Sequence, residues 1–290
     1  MEKASISIAQ LNAAIHAAEL NSQTRGLQTY GSHLFQMMSL ISAFGANSGV
    51  TSQRAITILG AGNCLDLDLH QLTELYQRIT LIDLDPAALE FGVERQNRTN
   101  DSGIHLVAPF DLADPLVQIT ESQLHSADAI HRACQLLFST MTVAPTEPAD
   151  TVVSTCVISQ MIAALVKVAT EQHPQFLLLL QSLRRGHIRR MLQLLKPGGT
   201  GLLISDLVSS DTTPLLQQIS DAELPSVLAQ CLSAGNFFSG LNPGVILQEF
   251  RTCPEIAELC QNVQILPPWK WQMGPRTYAV FAIAFERVLD

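Results

Sequence analysis

From Ile56 to Ser205 the sequence alternates short, β-branched apolar runs with amphipathic stretches of helical spacing. That alternation is the mark of βαβ units and a parallel sheet, which makes an α/β fold the expected class. Strands are expected at about 56–59, 79–83, 104–107, 151–156 and 201–205, each followed by a helix. Two further strands, about 263–266 and 277–286, have only Pro267 to Pro275 between them. A connector with no helix predicts an antiparallel hairpin at the sheet edge. Ahead of the sheet, Leu11, Ile15, Leu20, Leu34, Met37, Met38 and Ile41 recur at helical spacing. The simplest partition is an N-terminal helical cap over residues 1–52 and one Rossmann-like, doubly wound domain over 53–290, with a lid-like insertion at about 207–244.

Composition narrows the function classes. Apolar residues are 47% of the chain and charged residues 15%, which describes a compact globule rather than a disordered chain. The 17 basic and 26 acidic side chains leave a net charge of −9, so nucleic acid is not expected as a partner. The longest apolar run, 151–168, is short of the roughly 20 residues of a membrane span and carries Gln160 and Lys167. The start lacks the basic flank and apolar block of a secretory signal, and the six cysteines show no CxxC pairing. A cytoplasmic chain with reduced, buried thiols and no membrane partner is therefore expected.

The segment Ile56-Thr57-Ile58-Leu59-Gly60-Ala61-Gly62-Asn63-Cys64 is a strand that runs into glycines, with a helix beyond. Glycine there permits a sharp turn and lets a ligand approach bare backbone. Leu65 occupies the third glycine position of a dinucleotide fingerprint, which disfavours a nicotinamide cofactor. About twenty residues on, a second strand ends in Asp83, placed to accept both hydroxyls of a ribose. Asp85, followed by Pro86, reads as the cap of the next helix. Asp111 follows the third strand after a short loop, where it is either a solvated loop acid or an acceptor for an adenine amine. Asp150 to Gln160 forms the fourth element, and Leu194-Leu195-Lys196-Pro197-Gly198-Gly199 turns a helix into the fifth strand.

Taken in order, this series resembles the class I S-adenosylmethionine-dependent methyltransferases over about residues 55–206. The glycine loop, Leu81-Ile82-Asp83-Leu84-Asp85-Pro86 and Leu195-Lys196-Pro197-Gly198-Gly199 carry the resemblance. It implies S-adenosylmethionine as cofactor, with Gly60, Ala61, Gly62 and Asn63 along its methionine half. Asp83 and Leu84 would meet the ribose, Asp111 and Leu112 the adenine, and Ser154 and Thr155 the border of the reacting methyl. The chain departs from the family pattern at Thr57 and Ile58, where an acid is usual, and at Cys64, where a third glycine is usual. Asp66 is either the replacement carboxylate for the donor's ammonium group or an acid placed in a first helical turn. Tyr30 and His33 are candidates to close over the donor from the cap.

Methyl transfer from a sulfonium is an in-line displacement, so alignment and exclusion of water are the protein's main tasks. No clustered metal-ligand motif is present, and no metal is expected. The acceptor side is expected over the ends of the fourth and fifth strands, with Ser159, Gln160, Asp206, Phe238 and Trp271 as candidates. Gly235 to Gly244 is either a glycine-hinged lid or a surface turn. Trp269 and Trp271 sit in the edge connector, where they line a pocket or pack on the cap. Arg184, Arg185, His187, Arg189 and Arg190 read as a solvated basic face. A methyltransferase with a small-molecule acceptor is the leading expectation. A protein or peptide acceptor and a non-catalytic donor-binding protein stay open.

Overall fold

The structure is a computed structural model that describes residues 31–45, 54–120, 124–139 and 146–289. Seven strands form one sheet in the order β3-β2-β1-β4-β5-β7-β6. Strands β1 (Ala55–Leu59), β2 (Arg78–Ile82), β3 (Ile104–Val107), β4 (Ala149–Thr155) and β5 (Leu195–Ser209) run parallel. β6 (Cys260–Met273) and β7 (Arg276–Arg287) are the antiparallel edge hairpin, with β7 against β5. The α/β, mostly parallel Rossmann-like sheet with an antiparallel edge is thus the fold.

Side-chain alternation divides the sheet into two buried faces. Ala55, Leu59, Val152 and Leu203 pack on one side, with α4 (Ala127–Ser139), α5 (Val157–Val168) and α6 (Phe176–Leu194). Ile56, Ile58, Val153, Leu202 and Ile204 pack on the other, with α1 (Ser32–Gly45), α2 (Leu69–Leu75) and α3 (Pro86–Arg95). Successive strand residues point to opposite faces, so continuous apolar runs such as Ala55–Leu59 supply both cores at once. Of the expected cap, only α1 and Gly31 lie within the described residues; Tyr30 lies outside them.

Three local expectations change. Pro267 to Pro275 is mostly strand: β6 continues to Met273, and a two-residue turn at Gly274-Pro275 joins it to β7. The prolines are tolerated because β6 is an edge strand and its register shifts between Leu266 and Trp269. The fifth strand begins at Leu195, directly after α6, and continues to Ser209. The basic face is not solvated, since Arg184, His187 and Arg190 are buried. Arg184 reaches Glu249 on α8 (Pro243–Thr252) and donates to Gly240 O at 2.7 Å, and Arg190 donates to Leu112 O at 2.6 Å and Asp114 Oδ1 at 2.7 Å. These residues fall at positions 184, 187 and 190, in register with Leu183, Met191 and Leu194 on the buried side of α6. Charge at an apolar spacing was the available signal.

After β5, Ser210–Thr213 turns into a short 3-10 segment, Pro214–Gln217, then α7 (Leu224–Ala234) and the loop to Asn242, which caps α8. Phe238 N donates to Leu207 O at 2.9 Å, which holds this loop against the end of β5.

Candidate active site

The first βα junction is built by backbone needs. Gly60 and Gly62 have φ of +77° and +48°, and a Cβ on Gly60 would lie 2.3 Å from Val157 Cγ2. Neither position suits a side chain. Gly60 N and Ala61 N donate to Ile82 O at 2.8 and 3.2 Å, so the turn is tied to the end of β2. Thr155 Oγ1 donates to Leu59 O and Gly60 O at 3.1 and 2.7 Å, tying it to β4 as well. Cys64, at the family's usual glycine, keeps a left-handed backbone with φ +50°. The chain therefore accepts at Cys64 a conformation that glycine takes at little cost.

Asp83 follows β2 and has a structural task the sequence did not disclose. Its Oδ2 accepts from Gly62 N at 2.8 Å and its Oδ1 from Asp85 N at 3.0 Å. Asp85 in turn accepts from Ala87 N at 3.0 Å and caps α3, as expected. Asp83 thus joins two junctions while its remaining lone pairs face a cavity. Burial raises its carboxyl pKa against the pull of those backbone donors. Asp111 accepts from Ala113 N at 2.8 Å, and burial raises its carboxyl too. The bond from Arg190 to Leu112 O fixes this third turn from behind, a positioning role the sequence did not reveal.

The junctions open onto a cavity of about 800 Å³. Gly60, Gly62, Asp83, Leu84, Asp111 and Leu112 form one end, and Ser159, Gln160, Asp206, Phe238 and Tyr278 form another part of the wall. Tyr278, on β7, was not among the expected residues; its signal was only its closeness in sequence to the tryptophans. Asp206 lies where the β5–β7 register shifts, between Asp206 and Val208. Such an irregularity re-aims a side chain at a strand end. Burial raises the Asp206 carboxyl, and its Oδ1 is buried with no hydrogen-bond partner among the described residues.

Other expected residues stand off the cavity wall. Ser154 is buried on β4, where its Oγ meets His187 Nε2 at 2.8 Å. Strand alternation sends Ser154 and Thr155 to different sides. Ala61 and Asn63 are buried within the glycine turn. Trp271 is not among the residues of the cavity wall but contacts one of them. Its ring packs 5.4 Å from Tyr278 and 4.5 Å from His33. Trp269 Nε1 donates to His33 Nδ1 at 2.9 Å, so both tryptophans pack on α1.

Asp66 lies 3.9 Å from His33 Nε2. Burial pushes the Asp66 carboxyl up to about 6, with Asp83 adding repulsion, and holds His33 down at about 3. His33 is consequently neutral at pH 7, and the two do not form an ion pair there. Among the described residues no group of three or more His, Cys, Asp or Glu is arranged to hold a metal, and no helix is long and apolar enough to cross a membrane.

No protein-family model matches the chain, and no curated protein matches it in sequence. Among solved structures it is similar to the N-methyltransferase NodS from Bradyrhizobium japonicum in complex with S-adenosylhomocysteine, at 13% identity and TM-score 0.45, covering 93% of this chain and 98% of that one. It is also similar to a putative RNA methyltransferase from Pyrococcus horikoshii, at 9% identity and TM-score 0.46, covering 98% and 100%. An rRNA methylase from Streptococcus thermophilus matches at 12% identity and TM-score 0.39, covering 86% and 95%. Likeness this distant transfers no acceptor and no residue role. By its strand order and its antiparallel last hairpin, with a glycine junction beside an acid-ended second strand, the chain has the Rossmann-like α/β fold that its sequence led one to expect.

Proposed function

We propose that the chain is an S-adenosylmethionine-dependent methyltransferase acting on a small molecule. The observation that carries this reading is the hydrogen bond from Gly62 N to Asp83, which sets bare backbone and a ribose-competent carboxylate side by side at one end of the cavity. The residues suit the donor. Gly60 and Gly62 admit its methionine half, Asp83 has lone pairs left for the sugar hydroxyls, and Asp111 with Leu112 offers an acceptor and an apolar surface to adenine. Asp66 is the proposed partner of the donor's ammonium group. When bound, the donor supplies an activated methyl; the protein's share is to align it and to exclude water.

A cavity of about 800 Å³ lies within the roughly 300–1,000 Å³ of small-molecule sites. Among the described residues Lys167 is the only basic side chain on its wall, which supports a small acceptor over a nucleic acid. Calorimetric titration with S-adenosylhomocysteine tests the proposal. Saturable binding that Asp83→Ala weakens about 10- to 100-fold is expected, as for loss of charge-assisted hydrogen bonds. Absence of binding to the unaltered chain rejects it.

A further inference from the structure

Within that reading, we propose that the acceptor is a small amine and that Asp206 is the catalytic residue that receives its nucleophilic nitrogen, beside the ring pair of Phe238 and Tyr278. The argument begins with the cavity's second wall. Asp206, Ser159, Phe238 and Tyr278 share it. The Phe238 and Tyr278 rings are 6.4 Å apart and inclined at 51°, and Trp271 backs Tyr278. Ring faces attract a cation, and a carboxylate beside them supplies the opposite charge.

Asp206 has the arrangement of a group made for a ligand rather than for the fold. Ser159 and Ser205 support the carboxyl, but its Oδ1 is buried with no hydrogen-bond partner among the described residues, a state that costs free energy unless something bound completes it. No described ion pair joins Asp206 to a cation: Arg184 is held by Glu249, Arg190 by Asp114 and Lys270 by Asp221, and Lys167, which shares the cavity wall, is exposed to solvent. A hydroxyl acceptor would fill the hydrogen bond but would leave the negative charge uncompensated. An ammonium fills both.

The chemistry balances on this arrangement. The ammonium gives one proton to the Asp206 carboxylate, which frees the nitrogen's electron pair. That pair forms the bond to the methyl as the bond from sulfur to methyl breaks, and the breaking bond's electrons stay on the donor's sulfur. The methylated nitrogen is left as an ammonium, and the Asp206 proton passes to solvent when the product leaves. Burial, which raises the Asp206 carboxyl above the ordinary carboxylate range, makes it a stronger proton acceptor than a solvated carboxylate.

The test uses the full chain saturated with S-adenosylhomocysteine, titrated with phenethylamine and tryptamine and with their matched alcohols. At least one amine should bind about 10- to 100-fold more tightly than its alcohol. Asp206→Asn should abolish that preference while the affinity for S-adenosylhomocysteine holds. Phe238→Ala, on the partly exposed loop, should reduce amine affinity about 2- to 30-fold through loss of the ring face. Equal binding of amines and alcohols, binding of neither, or an amine preference that survives Asp206→Asn overturns the proposal. Donor-product binding that persists in those cases leaves the methyltransferase reading standing, whereas its absence removes both.

Discussion

The molecule buries charge in two places and treats it in opposite ways. Along α6, Arg184 and Arg190 are buried, and each meets a carboxylate, Glu249 and Asp114, and also donates to a backbone carbonyl. On the cavity wall, Asp83 and Asp206 are partly buried and Asp66 lies close enough to Asp83 to feel its charge, and no arginine or lysine answers the three among the described ion pairs. Charge buried with its partner holds elements in place. Charge buried without one is a cost that a bound cation would offset, and a sulfonium donor and an amine acceptor both have that sign.

The largest effect should come from breaking the paired side. Arg184→Met strands Glu249 in the core and should cost about 3–5 kcal/mol in chemical denaturation. Arg184→Met combined with Glu249→Leu should recover most of it, since an apolar pair of similar volume replaces the ions. A double variant as unstable as the single one would show that the pair's bond to Gly240, not its charge, is what matters.

The unpaired side should respond in the other direction. The folded pKa of Asp66, about 6, lies above the ordinary 3.8, so the native state holds more protons than the unfolded chain between those values. Stability from protonated Asp66 is present below about pH 4 and is lost as pH rises through 6. Asp66→Asn should therefore be more stable than the parent chain at pH 7, by at most roughly 3 kcal/mol, with no gain at pH 4. His187, on the paired side and held down at about 3, has the reverse sign. Its contribution is present above about pH 6.5 and is lost as pH falls toward 3. Thermal melts from pH 4 to 8 on the parent chain and Asp66→Asn separate the two.

Smaller effects distinguish neighbouring acids. Asp83→Ala should cost donor-product affinity about 1.5–3 kcal/mol, read by calorimetry. Asp85→Ala should instead cost about 1 kcal/mol of stability through the lost helix cap and leave that affinity within about twofold. If both variants lose affinity alike, Asp83 acts by holding the junction rather than by meeting a ligand.

Much of this was legible in the residues. The apolar runs at 56–59, 79–83 and 151–156 became strands because they can be buried on both faces, 104–107 became the half-exposed edge strand beside them, and Asp85-Pro86 opened a helix because a cap followed by proline allows little else. Gly60 and Gly62 lie on the cavity for the same local reason, a backbone conformation that side chains resist. Less legible was anything that depended on which face a side chain takes. Ser154 and Thr155 are adjacent in sequence, yet one bonds His187 beneath the sheet and the other the glycine turn.

By itself, the sequence determined the α/β alternation, the edge hairpin, the glycine turn and the acids at the strand ends, because each follows from steric and burial rules acting over a few residues. Only the tertiary structure decided which charges are paired. It buried Arg184 and Arg190 by bringing Glu249 and Asp114 to them, and it left Asp206 on the wall of an open cavity with Phe238 and Tyr278. Electrostatic free energy depends on distance and desolvation between residues remote in the chain, and neither quantity is written in local spacing.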